Sequence, residues 1–288
     1  MINKKDIVIK TDVRRFIPFR EGNALKKFKT DFQVKDKTLR MRATSAFYPL
    51  VATIVESIYD KESYRNGITL YKEATGDGYS LLCRNDIDIL FSTEPSESQR
   101  KSLIESGREY EFVPILMEPL AIILNKENSV NDLTTNNILD LYLGKIKNWK
   151  ELGGPDLIVR TYQLTDGNGS HTCFTKLLRK TPLDINHKEV PTMPGIIDDV
   201  ADYPGAICYA FWSYFTKMYS HACAKMIKVN GYTAFDSGYP LQHPIYMIFG
   251  KDNPNMEIQR IREFLTSDEG QVLVKEANQI QRDYGEDL

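Results

Sequence analysis

Apolar runs of strand length alternate with stretches of helical spacing along this chain. Strand-like Thr38–Met41 is followed by an amphipathic run, Val51–Tyr59, and Gly67–Tyr71 is a second short strand candidate. Thr75-Gly-Asp-Gly-Tyr-Ser80 reads as a glycine turn before a short helix, and apolar Ile87–Phe91 precedes a helix near Ser96–Ser106. Further on, β-prone Leu157–Tyr162 leads through a polar turn into amphipathic Thr172–Leu178, and Ala206–Phe211 is a wholly apolar strand. The carboxyl end reads as helices. Asn255–Leu265 places Met256, Ile258, Ile261, Phe264 and Leu265 close to helical spacing, and Ser267-Asp-Glu-Gly270 caps a helix carrying Val272, Leu273 and Ala277. Alternation of this kind predicts an α/β fold with largely parallel sheets.

Two segments break the pattern. Glu111–Leu124 is mostly apolar but holds Pro114 and Pro119; Tyr239–Phe249 holds Pro240 and Pro244. Proline removes a ladder donor, so neither is expected to be a single central strand. Both read as crossovers near residues 114–122 and 239–247, joining two lobes by two segments.

The chemistry gathers in polar loops after strands. Thr161–Phe174 runs from a strand through Asp166-Gly-Asn-Gly169 to a helix start, where free N–H groups and the positive end of the helix dipole suit an anion. The bland alternative is an ordinary helix cap. Thr44-Ser-Ala46 opens another helix, and Asp86–Phe91 ends in Ser92 and Thr93. Ligands of open α/β sheets bind outside the carboxyl ends of strands, so loops of this kind can converge on one ligand.

Composition narrows the classes. A net charge of −2 with dispersed basic residues gives no reason to expect nucleic-acid binding, and the Leu25-Lys-Lys-Phe-Lys29 cluster reads as a solvated helix face. No apolar run approaches the ~18 residues of a membrane span. Met1-Ile-Asn-Lys-Lys-Asp6 lacks the following apolar stretch of a signal peptide. Cys83 and Cys208 read as buried free thiols. The pairs His171/Cys173 and His221/Cys223 do not have a usual zinc spacing, so no metal is expected. One disulfide would suit an exported protein, with partners the sequence does not name. Asp166–Ser170 imitates a calcium loop but has His171 where glycine is needed and Leu177 where glutamate is needed. Ser170 beside His171 is a poor nucleophile–base pair, because adjacent residues seldom meet in the required geometry. No Gly-x-Ser-x-Gly elbow or Walker loop is present, and neither an enzyme nor a cofactor is expected. Trp149 is expected in a core, as are Phe211, Trp212, Tyr214 and Phe215; for those four the alternative is a cleft wall that stacks on an organic ligand.

From about Phe16 to about Glu276 the chain resembles the phosphate-type substrate-binding proteins of ABC importers. The resemblance is carried by Tyr48-Pro49, Asp88-Ile-Leu-Phe91, Pro95-Ser96, Leu120–Val130 and Leu133-Thr134. It continues through Leu141-Tyr-Leu-Gly-Lys-Ile-Lys-Asn-Trp-Lys-Glu-Leu-Gly-Gly154, Gly205–Phe211, Gly238-Tyr-Pro-Leu241 and Ser267–Gln271. The Gly-Lys-Ile-Lys-Asn-Trp segment is the most specific part.

The resemblance implies a two-lobed type II periplasmic-binding-protein fold with a two-segment hinge. Lobe one is placed at residues 1–117 and 240–288, and lobe two at 118–239. Carried over residue by residue, the ligand donors are Thr44, Ser45 and Ala46, then Ser92 and Thr93, then Asn168, Gly169, Ser170 and Thr172. The implied function is capture of a small anion, phosphate or a similar oxyanion, between the lobes for an ABC permease, outside the cytoplasmic membrane. Two explanations account for the missing leader: a removed signal or anchor, or a cytoplasmic protein. The first is favoured, because the resemblance begins almost at the amino end. Three departures matter. The family usually has arginine where this chain has Leu164, often serine at Asn168, and commonly Asp-Gly where this chain has Arg42-Ala43. Arg42 is then the candidate substitute charge, and Leu164→Arg is expected to strengthen oxyanion binding if its side chain reaches the site. The alternative is a sensing or adhesion module with altered or lost ligand binding.

Overall fold

A computed structural model describes residues 8–178 and 187–283, so the leader expectation at Met1–Asp6 lies outside the described residues. The chain runs β1 (Val8–Lys10), β2 (Met41–Thr44), α1 (Tyr48–Ile58), β3 (Leu70–Glu73), α2 (Thr75–Cys83), β4 (Ile89–Ser92) and α3 (Glu97–Glu105). Then come β5 (Tyr110–Asn125), β6 (Asp132–Leu133), α4 (Thr135–Tyr142), β7 (Arg160–Leu164), α5 (Gly169–Leu177), β8 (Lys188–Val190) and α6 (Met193–Asp202). The last elements are β9 (Ala206–Phe211), α7 (Trp212–Lys217), β10 (Tyr219–His221), β11 (Ala224–Met226), β12 (Lys228–Val229), β13 (Gln242–Gly250), α8 (Met256–Thr266) and α9 (Asp268–Asp283).

This is the mixed α/β class expected. Contacts group the chain into two units, one of residues 11–117 with 244–288 and one of residues 1–10 with 118–243. In the first unit β2 is paired in parallel with β3 on one side and β4 on the other, and β4 is antiparallel to β13. In the second, β7 is parallel to both β8 and β9, β9 is antiparallel to β5, and β1 pairs with β10. The hydrogen-bonded strand order is β3-β2-β4-β13 in the first unit and β5-β9-β7-β8 in the second.

Several local expectations need correction. Tyr110–Asn125 is one continuous strand despite its prolines. Pairing to β9 starts at Leu120, directly after Pro119, so the missing proline N–H falls outside that ladder. Burial changes along the strand: it is intermittent up to Met117 and complete from Glu118 to Asn125, where the strand is covered on both faces. Gln242–Gly250 is likewise a strand, with Pro244 inside it. The second strand is Met41–Thr44 rather than Thr38–Met41, because only from Met41 does the chain pair with both neighbours. The third is shifted in the same way to Leu70–Glu73. Thr75–Ser80 belongs to α2 itself. Gly78 permits this: a Cβ there would lie 2.7 Å from Leu90 Cδ1, so glycine lets the helix settle on β4.

Each unit has its own core. In the first, α1 is buried along almost its whole length, which suits a helix apolar on all sides, and Pro49 sits in its first turn. In the second, Trp149 is 0% exposed. Phe211, Trp212, Tyr214 and Phe215 are buried too, as the core reading expects. Glu118, also 0% exposed, accepts the Ser213 N–H at 2.7 Å in the first turn of α7. No described helix is long and apolar enough to cross a membrane.

Candidate functional site

The first unit presents the carboxyl ends of three adjacent parallel strands. Thr44 is in register with Glu73, and Ala43 with Phe91, so Thr44 and Ser92 end neighbouring strands. A helix follows each of these strands closely: α2 after β3, α1 after β2, α3 after β4. Their first turns carry N–H groups that lack partners within the helix. No side chain caps α1. By contrast, α3 is closed by a capping box between Ser96 and Gln99. Thr44 and Ala46 are buried and Ser45 is half-buried. Ser45 Oγ lies 3.3 Å from the Glu73 carbonyl and 3.4 Å from Lys72 Nζ. Ser92 is 0% and Thr93 1% exposed. Ser92 Oγ and Thr93 Oγ1 are both enclosed with no hydrogen-bond partner among the described residues. Leaving a buried hydroxyl unsatisfied costs about 1–3 kcal/mol.

The second unit places Asn168, Gly169, Ser170 and Thr172 at the start of α5, immediately after β7. Gly167, with φ of 84°, makes the left-handed step into that turn. Here the plain helix-cap reading describes the geometry. Asn168 Oδ1 accepts the Ser170 N–H at 3.0 Å and the Ser170 hydroxyl at 2.8 Å. It takes the place an anionic oxygen would occupy. Thr172 Oγ1 donates to the Asn168 carbonyl at 3.1 Å.

Leu164 ends β7 and is 0% exposed. Its N–H donates to the Tyr209 hydroxyl at 3.3 Å, and that hydroxyl lies 2.8 Å from His171 Nδ1. The tyrosine hydroxyl accepts from Leu164 and shares a hydrogen bond with His171 whose direction follows the imidazole tautomer. Burial pushes the His171 pKa below its ordinary value, against the opposing pull of Asp166 and Glu189. Since the unfolded histidine binds a proton more readily, stability is expected to fall as pH drops below about 6.5. It is then expected to level off below the folded-state pKa. Urea unfolding of the wild type and His171→Gln from pH 5 to 8 checks this; parallel profiles would remove His171 as the cause.

Other candidates stand elsewhere. Arg42 Nη1 donates to the Met41 carbonyl at 2.9 Å and the Ile68 carbonyl at 3.2 Å, and its Nε lies 4.0 Å from the Glu73 carboxylate. The guanidinium also lies over the Tyr71 ring, 5.7 Å from its centroid. Ser170 and His171 do not pair: the serine hydroxyl is bonded to Asn168 and the imidazole to Tyr209. All four cysteines are free, and Cys83, read as buried, is only half-buried. His221 Nδ1 accepts the Cys223 N–H at 3.1 Å, a local turn bond. Reading the sequence missed Lys72 and Tyr209. Alternation along Leu70–Glu73 could have placed Lys72 beside the first loop, but Tyr209 looked like one more apolar residue of β9.

A sequence model of the PBP superfamily domain matches residues 33–269. The phosphate-binding protein PstS of Bacillus subtilis is 28% identical over 186 residues, 62% of this chain and 58% of its own length. The phosphate-binding protein PstS of Staphylococcus epidermidis is 24% identical over 255 residues, covering 82% of this chain and 77% of its own. In structure, a phosphate ABC transporter substrate-binding protein with bound phosphate from Clostridium perfringens matches with a TM-score of 0.64 at 22% identity. That match covers 83% of this chain and 97% of the other, and it speaks for the fold. With strand-end loops and helix starts arranged as described, and most of its length inside the matched region, the chain belongs to the PBP superfamily.

Proposed function

We propose that this protein is an extracytoplasmic solute-binding protein that captures a small oxyanion, with phosphate the first candidate, and delivers it to an ABC permease. Its work is binding rather than catalysis. The donors are Thr44, Ser45, Ala46, Ser92 and Thr93 in the first unit, and Asn168, Gly169, Ser170 and Thr172 in the second. The observation that carries this reading is the pair of enclosed hydroxyls, Ser92 Oγ and Thr93 Oγ1, without partners among the described residues at a strand's carboxyl end. A ligand oxygen would satisfy them. The names of the relatives support phosphate.

Isothermal titration with inorganic phosphate, sulfate and molybdate tests this. Hydrogen bonds to charged groups contribute about 1.5–3 kcal/mol each, so Ser92→Ala with Thr93→Val is expected to weaken phosphate binding by about tenfold or more. Without ligand the same variant is expected to be no less stable than the wild type, because it removes two unsatisfied hydroxyls. Unchanged phosphate affinity in the double variant would overturn the assignment of these donors.

A second reading is favoured by two observations at the third loop. Asn168 Oδ1 already takes the Ser170 N–H and hydroxyl, and an uncharged, buried Leu164 stands where the family resemblance implies arginine. On that reading the protein is a sensing or adhesion module whose ligand binding is altered or lost. Absence of binding to all three anions would favour it over oxyanion transport.

A further inference from the structure

We infer that Lys72 supplies the positive charge of the anion site; this rests on the oxyanion-binding reading above. A cation beside the donors would strengthen oxyanion binding, and the sequence points first to Arg42. The geometry ties Arg42 to its own strand pair: Nη1 donates to two backbone carbonyls and the Tyr71 ring lies under the guanidinium, while Nε, 4.0 Å from the Glu73 carboxylate, has no hydrogen-bond partner among the described residues.

Lys72 lies on the opposite face. Side chains alternate along a strand, and register-matched residues of parallel neighbours share a face. Arg42 is matched with Tyr71, and Ala43 with both Lys72 and Phe91. Ser45 follows the last residue of β2, and the contact places it beside Lys72: its Oγ is 3.4 Å from Lys72 Nζ.

Ser45 orients this charge. Its hydroxyl donates to the Glu73 carbonyl at 3.3 Å, so its lone pairs are turned to the ammonium. Among the described residues Ser45 Oγ is the one hydrogen-bond partner of Lys72, over a long distance, while an ammonium has three N–H donors. Thr93 Oγ1, enclosed and without a partner among the described residues, follows the end of β4, which pairs with the other side of β2. An oxyanion beside Ser45 would receive a charged donor from Lys72. Lysine is a point charge on a flexible stem and lacks the rigid bidentate fork of arginine. Recognition through Lys72 therefore follows the charge of the ligand more than its shape, and a multiply charged tetrahedral oxyanion is the class it fits.

The test is titration of inorganic phosphate into the wild type, Lys72→Met, Lys72→Arg and Lys101→Met at 20 mM and 500 mM NaCl, with melting curves to confirm folding. Lys101 is an exposed lysine on α3 that removes the same net charge. At low salt Lys72→Met is expected to weaken binding by about tenfold or more and to lose most of the salt dependence of the wild type. Lys72→Arg should retain most of the affinity, and Lys101→Met should match the wild type. Wild-type affinity in Lys72→Met, or an equal loss in Lys101→Met, would overturn the role of Lys72 while leaving oxyanion binding intact. No phosphate binding by the wild type would instead remove the functional reading and this inference with it.

Discussion

Trp149→Ala is expected to lower the unfolding free energy by about 3–5 kcal/mol, the range for removing a large buried aromatic side chain. The residue is 0% exposed and begins a 3-10 turn, Trp149–Leu152, closed by a capping box from Asn148 to Glu151. Its backbone N–H donates to the Leu157 carbonyl at 3.0 Å, and Gly154 packs closely enough that a Cβ there would lie 3.2 Å from Trp149 Cβ. The indole N–H donates to the Gly205 carbonyl at 2.9 Å, and the Arg160 N–H donates to that same oxygen at 2.9 Å. Alanine therefore leaves a cavity without stranding the carbonyl. Trp149→Phe should cost clearly less, because it fills most of the space and Arg160 still satisfies Gly205. Urea unfolding of the three proteins decides: a loss under about 1 kcal/mol for alanine would show that the indole is not a core element, and equal losses for both variants would make the hydrogen bond, not packing, the main term.

Leu164→Arg is the second large effect, and the structure reverses the expectation drawn from family resemblance. Read from the sequence, this substitution restores a charge to the anion site. In the folded chain Leu164 is 0% exposed. A guanidinium placed there must give up its water, at an effective cost of several kcal/mol for a buried, unpaired ion. The backbone bond from Leu164 N–H to the Tyr209 hydroxyl ties the residue to the stacked Phe174–Tyr209 rings, so a larger side chain also strains that packing. The expected result is a melting temperature lower by several degrees or more and no gain in phosphate affinity. A variant as stable as the wild type that binds phosphate more tightly would show that the side chain reaches the ligand after all.

Much of the fold was legible in the chain. Alternating apolar runs gave the α/β class, because burial follows the period of each element. Ala206–Phe211 was placed to the residue, since a wholly apolar run bounded by Gly205 and an aromatic cluster has one plausible reading. The cap read at Ser267 marks the start of α9, where its hydroxyl accepts the Gly270 N–H at 3.1 Å. Tyr110–Asn125 was misjudged for a definite reason: proline rules apply to ladder positions, and which residues enter a ladder depends on a partner strand far away in sequence.

The candidate site divides along the same line. Local sequence determined that Thr44–Ala46, Ser92–Thr93 and Asn168–Thr172 are polar segments at strand ends, because turn and cap chemistry acts over three or four residues. Tertiary structure alone decided what their donors do. Asn168 and Ser170 satisfy each other, while Ser92 and Thr93 are enclosed with no partner among the described residues. It also decided which cation stands beside the first loop. Arg42 and Lys72 look equivalent in sequence, but strand register turns Arg42 toward Tyr71 and Glu73 and brings Lys72 to Ser45. Register is set by the pairing of strands distant along the chain, and a shift of one residue would exchange the two faces.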